Sequence, residues 1–268
     1  MAFWGCSFTY DGKPCTDFDL MLADADGNNQ GEGRFASAVT IVEETSPQRW
    51  RPFFYGTKFE DKLELTLVCT LNNDRLDAQE FLSRQELDNI ATWLTGHDEY
   101  KWLTIDQDDL SDVRYKCIVT DLSILESGNE PYGVAIIATC DGPYAYRKTP
   151  SVTTKELTGE TVFTINNTSS HNGYFKPIVE FEPTEGGDLT IVNNSDNGRT
   201  FTLTDIPGAV TSVRVDSERC LVECNQDIDL YGNCNFKFLR LKRGDNNLKA
   251  TGNGTLKITC DYPINPGC

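Results

Sequence analysis

Apolar positions recur with period two along most of the chain, the spacing of strands that turn one face to a core and the other to water. Leu63, Leu65, Leu67 and Cys69 alternate with Glu64, Thr66 and Val68. Tyr115, Cys117 and Val119 alternate with Lys116, Ile118 and Thr120. The run from Val134 to Cys140 is apolar on both faces and predicts a central strand. Past residue 150 the pattern predicts shorter strands at 161–165, 178–181, 189–192, 200–204, 213–215, 236–241 and 256–260. Asn-Gly, Gly-Gly and Pro-Gly pairs separate them, as turn chemistry requires. Short, closely spaced strands of this kind predict a β-sandwich.

One segment has helical spacing instead. Ser83 followed by Glu86 is a capping box, in which each side chain satisfies an amide that a helix start leaves unpaired. Leu87, Ile90, Ala91 and Leu94 then fall on one face, and Gly96 supplies a left-handed stop. The spacing predicts a helix over 84–95, packed on the sheet of the first half. The fold class is therefore mainly β: an α+β first domain with one short helix, then an all-β second domain. The boundary is placed at 147–155, where Lys148–Lys155 reads as a polar linker, giving domains 1–150 and 151–268. Trp4, Trp50, Trp93 and Trp102 all precede it, which implies two different cores.

Charge narrows the function. Lys plus Arg number 24 against 41 Asp plus Glu, a net charge of −17. Such a body repels phosphate backbones and anionic lipid, so specific nucleic-acid binding and membrane docking are not expected. No apolar run approaches the roughly 20 residues of a membrane-spanning helix. The N-terminus lacks the basic start and apolar stretch of a secretory signal, so folding in a cytoplasm is expected. In that setting the ten cysteines read as reduced thiols filling small core positions. The alternative is a zinc site from Cys220, Cys224, Cys234 and Cys260, although only one tight pair is present.

Candidate chemistry is sparse. His97 and His171 are the only histidines, one just past the predicted helix and one in a turn, and neither has a nucleophile placed beside it by the sequence. Asp24–Asn28 begins like a calcium loop, but Asn29 and Phe35 stand where Gly and Glu are needed. Gly31–Ala36 mimics a dinucleotide fingerprint without a βαβ unit around it. No catalytic, metal or cofactor site is predicted, and a structural or binding role is favoured over an enzyme.

The order of features resembles the distal tail protein (Dit) family of long-tailed, siphovirus-type bacteriophages. The stretch from Phe8 through Gly12 to Asp17, Phe18 and Leu20 is similar to the family's opening strand, turn and "Asp-Phe-Gly-Leu" segment, with Asp19 where the family usually has Gly. Ile90–Leu94, the following Tyr100–Thr104, and Cys140–Tyr146 look like its helix, next strand and domain closure. In the second half, Asn166 to Phe181 resembles an "Asn-x-Gly-Thr…Pro-x-Ile" segment. Arg243-Gly244-Asp245-Asn246 resembles a "Pro-Gly-x-Asn" segment, with Arg243 in place of Pro.

The resemblance implies a first domain closing into a homo-hexameric ring and a second, galectin-like β-sandwich facing outward. It implies a structural hub in the virion tail tip or baseplate, assembled in the host cytoplasm. Its partners would be the tail tube protein, tail-tip proteins and receptor-binding proteins, with DNA passing through the ring. Acids are then expected on the lumen and outer face, where they neither oppose one another across interfaces nor hold the genome. Trp50, Phe53 and Phe54, flanked by Arg and Pro, are the inter-subunit candidates, with burial in the core as the equal alternative. The competing functional reading is a carbohydrate-binding adhesion module, in which Tyr174, Phe175, Tyr231 and Tyr262 would stack on sugar.

Overall fold

The computed structural model describes residues 7–23, 39–59, 62–108 and 111–265. The Asp24–Asn28 and Gly31–Ala36 motifs, Trp4, Cys6 and Cys268 lie outside these residues. The chain divides into two compact units, the first running to Lys148 and the second over Thr149–Ile264.

The first unit is built on antiparallel strands. They are β1 (Ser7–Tyr10), β2 (Lys13–Pro14), β3 (Leu20–Leu22), β4 (Val39–Glu44), β5 (Phe53–Phe59), β6 (Glu64–Leu71), β7 (Lys101–Asp106), β8 (Val113–Ser127), β9 (Glu130–Cys140) and β10 (Ala145–Arg147). The main sheet runs β2–β1–β7–β8–β9–β6–β3, with β10 pairing β8, while β4 and β5 form a separate two-stranded hairpin. β9 lies between β8 and β6, and its core face (Val134, Ile136, Ala138, Cys140) is buried, while Ala135 and Ile137 on its other face are half-buried. β6 buries Leu65, Leu67, Cys69 and Leu71 in strict alternation.

Two short helices form where the sequence predicts one, and the second packs on the core face. Helix α1 spans Asn73–Asp77, with Asn72 as its cap, and α2 spans Arg84–Leu94. The Ser83–Glu86 capping box is formed in both directions, and Gly96 takes φ +80° just beyond the end. Trp93 is the helix's anchor. Its ring stacks on Phe18 at 4.4 Å and on Phe8 at 5.7 Å, and its Nε1 donates to the Tyr10 carbonyl at 3.0 Å. A buried indole with its one donor satisfied contributes on the order of 3–5 kcal/mol relative to alanine.

The second unit contains β11 (Ser151–Asn167), β12 (Ile178–Pro183), β13 (Gly187–Asn193), β14 (Arg199–Ile206), β15 (Val213–Asp216), β16 (Leu221–Cys224) and β17 (Gly244–Cys260). Their order is β14–β13–β17–β12–β15–β16, with β11 paired along the whole of β17. β17 changes partner along its length, from β13 at residues 248–251 to β12 at residues 254–259. Its two halves bury Leu248 and Ala250, then Leu256 and Ile258, in one core with Ile191, Phe201, Val213 and Val215. Gly254 sits at the changeover with φ +143°, and a Cβ there would run into the Glu182 carbonyl. That position excludes any side chain, and it splits a 17-residue strand into what the sequence shows as separate pieces.

Two expectations are corrected here. Lys148–Lys155 is not a linker throughout, because β11 begins at Ser151 and pairs with Cys260. No named strand forms at 236–241; there is only an isolated bridge from Leu241 to Phe175. Phe236 has φ +56°, which takes the backbone out of the extended region. Asparagine side chains replace the missing ladder. Asn193 Nδ2 donates to the Arg240 carbonyl (2.9 Å), Asn167 Nδ2 to Leu241 (3.1 Å), and Asn246 Nδ2 to Lys242 (2.8 Å) and Gly244 (2.9 Å). All three asparagines are buried, so each unmade bond would leave a desolvated polar group. Gly244, at φ +85°, turns the chain into β17, which accounts for a Gly-x-Asn pattern at this place.

Candidate functional site

The most unusual surface is the β4–β5 hairpin. Its strands pair from Val39↔Phe59 to Glu44↔Phe53, with an irregularity between Val42 and Glu43 that leaves Tyr55 as the extra residue on β5. A soluble hairpin normally hides one face. Here nearly every residue of both strands is exposed, including Val39, Ile41, Val42, Phe53, Phe54, Tyr55 and Phe59. Trp50, in the connection, is 84% exposed and Phe54 66%. The alternative that the aromatics face the core is therefore excluded for Trp50, Phe53 and Phe54.

Local contacts order this arm without covering it. The Arg51 guanidinium lies 4.1 Å from the Trp50 ring centroid, and that of Arg49 lies 4.1 Å from Phe53. Tyr55 donates its hydroxyl proton to Glu44 at 3.1 Å. Phe59 meets Tyr144 edge-on at 5.4 Å. A two-stranded ribbon with no covered face is marginally stable in water by itself. Contiguous exposed apolar surface is a feature shared by protein, membrane and ligand contact sites.

The other candidate residues are not gathered into a reactive centre. His97 Nε2 lies 2.9 Å from the Trp93 carbonyl and its ring meets Tyr10, so it finishes the helix. His171 lies in a loop where its carbonyl accepts from Ser169 Oγ. Among the described residues no three His, Cys, Asp or Glu groups converge as metal ligands, so Cys220, Cys224, Cys234 and Cys260 do not form the zinc alternative. Burial pushes the thiols of Cys15, Cys69, Cys117, Cys140 and Cys260 above their ordinary range, as expected of core packing. Burial also raises the Asp141 carboxyl, against the opposing hydrogen bond from Tyr146.

The four aromatics considered for sugar stacking do not make one platform. Tyr262 is buried against Phe175 at 4.8 Å, and Tyr231 stacks on Phe236. The Tyr174 ring is covered by the Arg240 guanidinium at 3.9 Å. Arg240 in turn binds the buried Asp196 at 2.6 Å, and Tyr174 donates to the same carboxylate at 3.1 Å. The Arg240 hydrogen bond, ahead of the cost of burial, holds Asp196 below the usual carboxylate range. Neither this triad nor the hairpin was legible from periodicity; for the hairpin, the one signal was three consecutive aromatics beside two arginines.

Comparison with known proteins follows the same division of the chain. Residues 4–142 match the family model described as the phage tail protein N-terminal domain, and residues 144–260 match the phage tail C-terminal domain. No curated protein matches by sequence. Among solved structures, SPP1 Dit (gp 19.1), described as a paradigm of the hub adsorption apparatus in phages infecting Gram-positive hosts, is similar with a TM-score of 0.67 at 15% identity. That match covers 96% of this chain and 98% of that one. A chain of the phage P2 baseplate, in its activated conformation with Ca, is similar with a TM-score of 0.57 at 8% identity, covering 96% and 97%. With two tail-protein models spanning nearly its whole length and a Dit-like fold beneath them, the chain belongs to the phage tail proteins.

Proposed function

We propose that this protein is a structural hub of the phage tail tip or baseplate, a homo-hexameric ring joining the tail tube to the tip and adhesion proteins. The first unit forms the ring, and the second faces outward as a β-sandwich module. The observation that carries this reading is the β4–β5 arm, whose apolar side chains lack cover within the described chain. An arm of this kind is stable when another subunit buries it, and Trp50, Phe53 and Phe54 are its anchors. The match to a hub protein of another phage supports the same placement in the virion tail. Function then rests on shape and contact, without catalysis.

Negative-stain imaging of the purified protein over a concentration series tests this. Six-fold rings with a central pore are the expected result. Particles that remain single up to the highest concentration would sink the proposal.

A further inference from the structure

We infer that the β4–β5 arm of one copy docks on the outer half of the β8–β9 hairpin of its neighbour, with opposite charges setting the match. This deepens the ring reading above and rests on it. The receiving surface follows from the strand register. β8 pairs with β9 as far as Ser127↔Glu130, across a turn whose Gly128 and Asn129 both have positive φ. On the opposite edge of β8, β7 reaches only Cys117. Among the described residues, 118–127 therefore present an unpaired strand edge, and a register shift between Val119 and Asp121 marks its start. Leu122 and Leu125 are half-buried there and Ile124 is exposed. An open edge beside apolar side chains is a template for a further strand.

Charge singles out the arm as the occupant. Cations are scarce in a chain of net −17, yet the arm gathers Arg49, Arg51 and Lys58, all exposed. Its own acids are Glu43 and Glu44, of which Glu44 is held by Tyr55. The receiving hairpin carries Asp121, Glu126 and Glu130, all exposed, and has no Lys or Arg between 118 and 133. Two receiving hairpins would repel, whereas arm and hairpin attract. Since the two surfaces differ and lie on the same chain, the contact is head-to-tail, the type that closes into a ring.

The test uses the full-length chain in native mass spectrometry, with thermal unfolding as the fold control. Arg49→Glu with Arg51→Glu should weaken assembly about tenfold or more at low salt, as should Asp121→Lys with Glu126→Lys. Combining all four reversals should restore most of it while the unfolding temperature holds. If wild type forms a hexamer and neither pair of reversals disturbs it, or the fourfold variant fails to recover, the docking inference is wrong and the ring reading stands. A wild-type chain that never assembles overturns both.

Discussion

Arg75 donates through Nη1 to Glu86 Oε1 at 2.7 Å, and that contact ties the short helix α1 to the capping box of α2. The same guanidinium reaches Glu80 at 3.2 Å, Asp19 at 3.4 Å and the Phe81 carbonyl at 3.2 Å. One side chain thus holds the turn before β3, both helices and the loop between them.

The Arg75 hydrogen bond, followed by those at Ser83, lowers the Glu86 pKa from 4.5 to about 2. A carboxylate depressed on folding adds stability that is complete above pH 4.5 and is lost as pH falls through about 2. Glu86→Gln should destabilise the first unit by about 1 kcal/mol at neutral pH and flatten the acid limb of its stability curve. Urea unfolding at pH 7 and pH 3 measures both. Equal losses at the two pH values would contradict the assignment.

Asp19 has φ +55° at the end of the Cys15–Phe18 turn, a left-handed backbone that costs most side chains about 1 kcal/mol. Its carboxylate recovers part of that through Arg75 and Asn72. Asp19→Ala keeps the strain and loses the contacts, so it should be less stable than wild type by about 1 kcal/mol, while Asp19→Gly should be the more stable of the two variants. Calorimetric unfolding temperatures in the reverse order would refute this.

In the second unit, Gly254→Ala should cost about 2–3 kcal/mol, because the new methyl group meets the Glu182 carbonyl where β17 changes partner. Asn246→Ala should cost about 2 kcal/mol by stranding the Lys242 amide and two carbonyls. Both should lower the midpoint of that unit's transition. Denaturation followed by hydrogen exchange on residues 236–250 distinguishes them, since only the asparagine variant should loosen 240–246 specifically.

Thiol reactivity should follow burial. Cys220 is exposed, whereas Cys15, Cys69, Cys117 and Cys140 are buried and their thiols are harder to ionise. Brief alkylation with peptide mapping should label Cys220 well before those four, which should need denaturant. Comparable early labelling at Cys117 and Cys140 would show that the β8–β9 pairing opens readily.

Period-two alternation identifies the faces of β6 and β8 because each has a dry side and a wet side, and side-chain polarity records that directly; β9 shows instead as an unbroken apolar run, because its second face is half-buried. The capping box identified α2 because its two hydrogen bonds are local. What alternation does not encode is pairing along strand edges. The β4–β5 arm shows no period, because both faces are exposed and its aromatics are consecutive; its signal is the composition of Trp50, Phe53 and Phe54 beside Arg and Pro. β11 and β17 show in the sequence as short pieces because Gly159, Gly252 and Gly254 interrupt the apolar pattern where the two long strands pair. The 236–241 segment looked like a strand because it has strand composition. Several of its carbonyls accept instead from distant side chains, Arg240 from Asn193, Leu241 from Asn167 and Phe238 from Arg199, which no local pattern reports. The Asp196–Arg240–Tyr174 triad was equally hidden, being assembled from three separate segments.

In the second unit, the opening residue of β11, Ser151, faces the closing residue of β17, Cys260. Polypeptide enters and leaves this module through adjacent lanes. A module with neighbouring ends behaves as a cassette: lengthening it, exchanging it or trimming its loops demands little of the chain on either side.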